Sequence, residues 1–195
     1  RAFMADMQTT WTDLNSFMST HNWWHTALFD IALGDPAKAL AIYDDHCWGL
    51  ENDYSQDQIG AVSLLARLEL AGVDVGERWR DVAAYLKPRI DDHVQPFLTM
   101  QYLYGLARAG LDEADQMMAS VAGFVQTAPE FQRAAWAEVC LPACRGLLAH
   151  ARGDFAVTVA DLGGVVDRLE EIGGSHAQRD LFVQVLADAR RRVDT

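Results

Sequence analysis

Apolar residues recur along this chain at steps of three and four. Leu111, Ala114, Met118, Val121 and Val125 form one stripe; Phe155, Val159, Leu162, Val166 and Leu169 form a second; Ala61, Leu64, Leu68 and Ala71 form a third. A helix turns once in about 3.6 residues, so each stripe predicts an amphipathic helix with one buried face. No run alternates strictly between apolar and polar with hairpin turns at its ends, so no strand is predicted. The breaks carry cap chemistry. Gly34-Asp35-Pro36 reads as a helix stop, an N-cap and a first-turn proline, and Gly153-Asp154 as a stop and an N-cap. Ser55 with Gln58 and Ser175 with Gln178 have capping-box spacing, and Gly72 to Gly76 and Gly173-Gly174 are turn-like. About ten helices follow, over 2–18, 21–33, 36–48, 56–71, 77–88, 94–109, 112–126, 130–151, 154–172 and 177–193. Many joints are short, and short joints make neighbours antiparallel.

Helices that pair as hairpins call for a repeat test. Trp23, Ala27, Gly34, Ala39 and Tyr43 fall at the spacing of the tetratricopeptide pattern: aromatic, small, turn glycine, small, aromatic. Small residues let two helices approach, and aromatics fill the space beside them. Gly146, Gly153, Thr158 and Leu162 repeat the offsets with poorer chemistry, and Gly110-Leu111-Asp112-Glu113-Ala114 is one residue short. A generic stack of α-hairpins fits the same spacing.

Composition narrows the functional classes. The 195 residues hold 16 Lys and Arg against 28 Asp and Glu, a net charge of −12. Nucleic acid and anionic membrane both need clustered positive charge, so neither is an expected partner. Half the residues are apolar, enough for a sizeable core, yet no apolar run reaches the roughly 18–20 residues of a membrane span. Cys47, Cys140 and Cys144 are too few for a disulfide framework; they predict buried small hydrophobes in a reduced, cytoplasmic protein.

Two segments carry candidate chemistry. In His21-Asn22-Trp23-Trp24-His25 the histidines are four apart and share a helical face, the spacing of a two-histidine metal pair. The hydrolytic version needs a glutamate after the first histidine; here that position is Asn22, so no metal or cofactor is assigned. The plain alternative is that Thr20 caps the helix while the histidines bond locally beside packed tryptophans. Asp44-Asp45-His46 closes the partner helix, where a dipole-favoured histidine is expected; if the hairpin closes, the Asp44 and Asp45 carboxylates are expected to share a polar pocket with His21 and His25. In Gly173-Gly174-Ser175-His176-Ala177-Gln178-Arg179-Asp180, two glycines end a helix and a capping box starts the next. Free N–H groups there, with Arg179 near, also suit an anion. The candidate binding residues are therefore His21, Asn22, Trp24, His25, Asp45, His46, His176, Gln178, Arg179 and Asp180. No catalytic residue is assigned.

The segment His21 to Phe29, Leu33-Gly34-Asp35, Ala39 to Asp44, Ser63 to Leu70 with Gly72 to Gly76 and Trp79, Ala109-Gly110, and Gly173 to Phe182 resemble the tetratricopeptide repeat protein 38 family, also called StaR-like. Its members are more than twice this length, so the chain resembles a C-terminal half. The resemblance implies an all-α, right-handed superhelical stack of helix hairpins over residues 1–195, with no established activity. It also implies a concave groove lined, in the 21–46 hairpin, by His21, Trp24, Leu28 and Ile31, while Trp23 and Ala27 pack between helices.

Three functional expectations follow. The first is a helical scaffold, not an enzyme, holding a protein or peptide partner in the groove; the acidic balance suits a basic or amphipathic one. The alternative is a small-molecule or metal site, or an enzyme, with His21, His25, His46 and His176 in one histidine-rich centre. A third is an oligomerisation module: the stripe Phe3, Met7, Trp11, Leu14, Met18 of helix 2–18 needs a cover, and a homodimer supplies one.

Overall fold

The computed structural model describes residues 1–193, and among them every regular element is helical. The chain divides into two compact units, Arg1–Tyr85 and Leu86–Thr195. No helix among the described residues is long and apolar enough to cross a membrane.

The first unit opens with α1 (Ala2–Met7) and a 3₁₀ turn (Gln8–Thr10), followed by α2 (Ser16–Ala32). The helix expected over 2–18 thus breaks in its middle. Thr9, Thr10 and Thr12 are poor helix formers, and the Thr10 hydroxyl donates to the carbonyl of Met7 at 2.7 Å. Helix α2 starts five residues earlier than expected because Asn15 caps it, accepting from the Met18 N–H at 2.9 Å. Thr20 lies inside the helix; its hydroxyl donates to Asp57 at 2.9 Å.

Gly34, at φ +84°, turns the chain into α3 (Pro36–Ile42), with Pro36 in the first turn and Asp35 accepting from the Lys38 N–H. A π-helical turn, Tyr43–Cys47, continues α3. Ala27 and Ala39 are fully buried, as expected of the small residues in a close hairpin. Next come α4 (Ser55–Leu70) and α5 (Arg78–Leu86). Ser55 and Gln58 do not form a capping box: α4 already includes Ser55, and Gln58 donates to the Asn52 carbonyl. Nor is α4 one-sided. From Asp57 to Leu68 every residue except the half-buried Gly60 is buried, because α2, α3 and the π turn all pack on it.

The second unit begins with a 3₁₀ turn (Lys87–Arg89), α6 (Pro96–Arg108) and α7 (Glu113–Thr127). α8 (Glu130–Ala134), a π turn (Ala135–Cys140) and α9 (Leu141–Arg152) then run on as one helical stretch. Pro142 has no N–H for the carbonyl four residues back, and the wide turn upstream makes room for its ring. α10 (Phe155–Asp161) stops before Gly163-Gly164, so the helix expected over 154–172 is split; a 3₁₀ segment (Val166–Ile172) and α11 (His176–Val193) finish the unit. α6 is its central helix, buried from Phe97 to Ala107. α9 and α10 approach closely at Gly146: a Cβ there would sit 2.8 Å from Cβ of Leu162. The Thr158 hydroxyl seals the seam, donating to the Gly146 carbonyl at 3.1 Å.

Candidate functional site

His21, Asn22 and His25 sit on the half-buried shoulder of α2. The Nε2 atoms of His21 and His25 are 3.1 Å apart, with the rings at 89°. Burial lowers the pKa of both; the neighbouring His21 lowers His25 further. At pH 7 both are therefore neutral, and one Nε2–H donates to the other Nε2. Phe17 and Trp24 wall the pair, with ring centroids 5.1 and 5.7 Å from His21.

Of the two tryptophans, Trp24 departs from the role expected of it. Trp24 is only 3% exposed, stacked on His21 with the Arg67 guanidinium 5.5 Å from its ring, so it belongs to the core and lines no groove. Trp23 is half-buried, edge-on to Trp11 and face to face with His46 at 3.8 Å. The reason is rotational: α4 covers the side of α2 that carries Thr20, Trp24 and Ala27. The open side is the arc of Met18, Asn22, His25, Phe29 and Leu33, which lie close to one line at about 100° per residue. Met18, Phe29 and Leu33 are 39%, 43% and 70% exposed.

The carboxylates beyond α3 do not join the histidine pair. Asp44 makes a bidentate ion pair with Arg78, both contacts 2.7 Å, and Asp45 is exposed. His46 is occupied by its stack on Trp23.

The Gly173–Asp180 segment belongs to the other unit. Gly173 and Gly174, at φ +95° and +76°, lie against Gln95 and Phe97, where a Cβ on Gly174 would approach the Phe97 ring to 2.7 Å. Ser175 and Gln178 form a reciprocal capping box: the Ser175 N–H donates to Gln178 at 2.8 Å and the Gln178 N–H to the Ser175 hydroxyl at 3.3 Å. Arg179 donates to the carbonyls of Gly173 and Gly174. The Ser175 and Gln178 N–H groups and one Arg179 nitrogen are thus engaged in holding the turn. Asp180 accepts from Gln184 at 2.6 Å, and His176 is exposed. His176, Arg179 and Asp180 do share a cleft with Asp167 and Glu170, of about 190 Å³. That is smaller than the roughly 300–1,000 Å³ of a pocket for a drug-sized ligand.

One polar constellation escapes sequence reasoning. The Tyr104 hydroxyl donates to Nδ1 of His150 at 2.9 Å, and Nε2–H of His150 donates to Asp188 at 3.2 Å. Arg192 adds a 2.8 Å contact to the same carboxylate. The three residues come from α6, α9 and α11 and are buried. Burial lowers His150, which favours the neutral ring, and the acceptor-only Asp188 carboxylate places its proton on Nε2. The only signal in the sequence is a titratable residue in an apolar register, as with Asp188 after Leu181 and Val185.

Among the described residues no three His, Cys, Asp or Glu side chains converge as a metal centre. No family model matches the chain, and no solved structure matches it at a significant level.

Proposed function

We propose that this protein is a tetratricopeptide-like helical scaffold that binds a partner protein, with the open face of α2 as a principal contact surface. One observation carries the reading: Met18, Phe29 and Leu33 stand exposed on a single helical line, interrupted only by the polar Asn22 and His25. Water contact with such a stripe is unfavourable, and a second amphipathic helix relieves it by laying its own apolar face along the line. The net charge of −12 selects the flanks of that partner helix: Lys and Arg are attracted, Asp and Glu repelled. The preferred partner is therefore an amphipathic helix with basic flanks. A concave groove extending along further hairpins is part of the same reading.

The test is selection from displayed amphipathic helices with basic or acidic flanks, on wild-type protein and on the double variant Phe29→Asp/Leu33→Asp. Basic helices enrich on wild type and not on the variant. Equal retention by both proteins, or enrichment of acidic helices, overturns the reading.

A further inference from the structure

We infer that His21 and His25 form a two-imidazole chelate for a borderline divalent transition metal such as Ni(II), Cu(II) or Zn(II). Metal–imidazole bonds are about 2.0–2.1 Å, so two nitrogens on one metal stand about 2.9 Å apart at right angles and about 3.4 Å apart in a tetrahedron. The observed 3.1 Å between the two Nε2 atoms lies between these limits. The helix holds the spacing without further help, since residues four apart are stacked on one face. Phe17 and Trp24 restrict the rings from the sides, which reduces the entropy lost when a metal fixes them.

The chemistry balances without any other reactant. In the free pair, one ring carries its proton on Nε2. On chelation that ring exchanges it through solvent for a proton on Nδ1, both Nε2 lone pairs turn to the metal, and no net charge leaves the protein. Nitrogen donors favour nickel, copper and zinc over magnesium or calcium, with copper strongest. The two rings fill two positions of the coordination sphere. The rest open on the same α2 face as Phe29, where water or an added donor completes them. The inference does not depend on the partner-binding reading, because the metal alone is the probe.

Titration calorimetry with Ni(II), in a non-chelating buffer, is the first measurement. Wild type binds one equivalent at this site. His21→Asn and His25→Asn each lose affinity by more than the roughly tenfold to hundredfold that a merely supporting contact costs. Circular dichroism establishes that the variants are folded. The second measurement uses wild type alone: the electron paramagnetic resonance spectrum of the Cu(II) complex shows two imidazole nitrogens. Unchanged Ni(II) binding by both folded variants, no binding by wild type, or a copper spectrum with fewer than two imidazole nitrogens overturns the inference.

Discussion

The imidazole of His46 lies flat on the indole of Trp23, with centroids 3.8 Å apart and planes 10° apart. The contact joins α2 to the π turn after α3 and is half-exposed to water. Stacked aromatic pairs contribute about 0.5–1.5 kcal/mol beyond the area they bury. A double-mutant cycle with Trp23→Leu and His46→Leu is expected to give a coupling energy in that range. Additive single effects would show that the stack contributes nothing beyond burial.

Gly146→Ala is expected to destabilise the second unit. The new methyl meets Cβ and the backbone nitrogen of Leu162 at 2.8 Å, so α9 and α10 have to move apart. Overpacking of this kind costs about 1–3 kcal/mol. Urea denaturation measures it, and Gly123→Ala, with no neighbour within 4 Å of the added methyl, serves as the comparison.

The Tyr104–His150–Asp188 chain makes stability depend on pH in a defined direction. Burial holds His150 below its ordinary value, with Arg108 and Arg192 adding to the effect against the pull of Asp188. For Asp188, burial pushes upward but is outweighed by the His150 hydrogen bond and Arg192, which leave it below the usual carboxylate range. In both cases the unfolded chain takes up the proton first. Stability is therefore full above the unfolded value, about 6.5 for histidine and about 3.9 for aspartate, and falls as pH drops below each. Replacing His150 with Leu removes its hydrogen bonds with the Tyr104 hydroxyl and with Asp188, at a cost of about 1–3 kcal/mol near neutrality. The gap between wild type and His150→Leu is expected to narrow from about pH 6.5 downward. Denaturation curves across that range check it, and a gap independent of pH contradicts it.

Much of the fold is legible in the sequence, and the illegible parts share a cause. The offsets that place Ala27, Gly34 and Ala39 in one hairpin also place Gly146, Gly153 and Thr158 in another, and both glycine turns and both small-residue seams are present. Caps at Asp35, Asp154 and Ser175 are local chemistry and lie where spacing puts them. Which side of α2 is covered is not local. It depends on where α4 lands, and so Trp24 is buried where the tetratricopeptide expectation has it line a groove. The buried His150–Asp188 pair joins residues 38 positions apart, a separation that no helical period encodes. The candidate site was legible as two motifs. The structure adds that the Asp44 carboxylate is committed to Arg78 and the Arg179 guanidinium to the glycine turn.

The three cysteines are expected to be unreactive in the native protein. Cys47, Cys140 and Cys144 are buried and free, and burial pushes the Cys47 and Cys140 thiols above their ordinary value, away from the reactive thiolate. A thiol reagent at pH 8 should label none of them before unfolding and all three in denaturant. Rapid labelling of the native protein contradicts this.

Phe29→Asp and Leu33→Asp are expected to leave stability within about 0.5 kcal/mol of wild type, as surface substitutions do. Both side chains face water, at 43% and 70% exposure. Thermal denaturation checks this. A large loss would mean that the face has a structural duty within the unit.

The π turn at Tyr43–Cys47 gives chain length a role that residue identity does not capture. Such a turn accommodates one residue more than an α-helix uses over the same rise. A relative that kept Trp23, Asp44, Arg78 and His46 but lacked residue 45 would regularise the helix and shift His46 from its place over the indole. The indole would lose its lid with every named side chain still in place. Kinship to this hairpin is therefore better judged by counting residues between Gly34 and the histidine than by matching the letters around them.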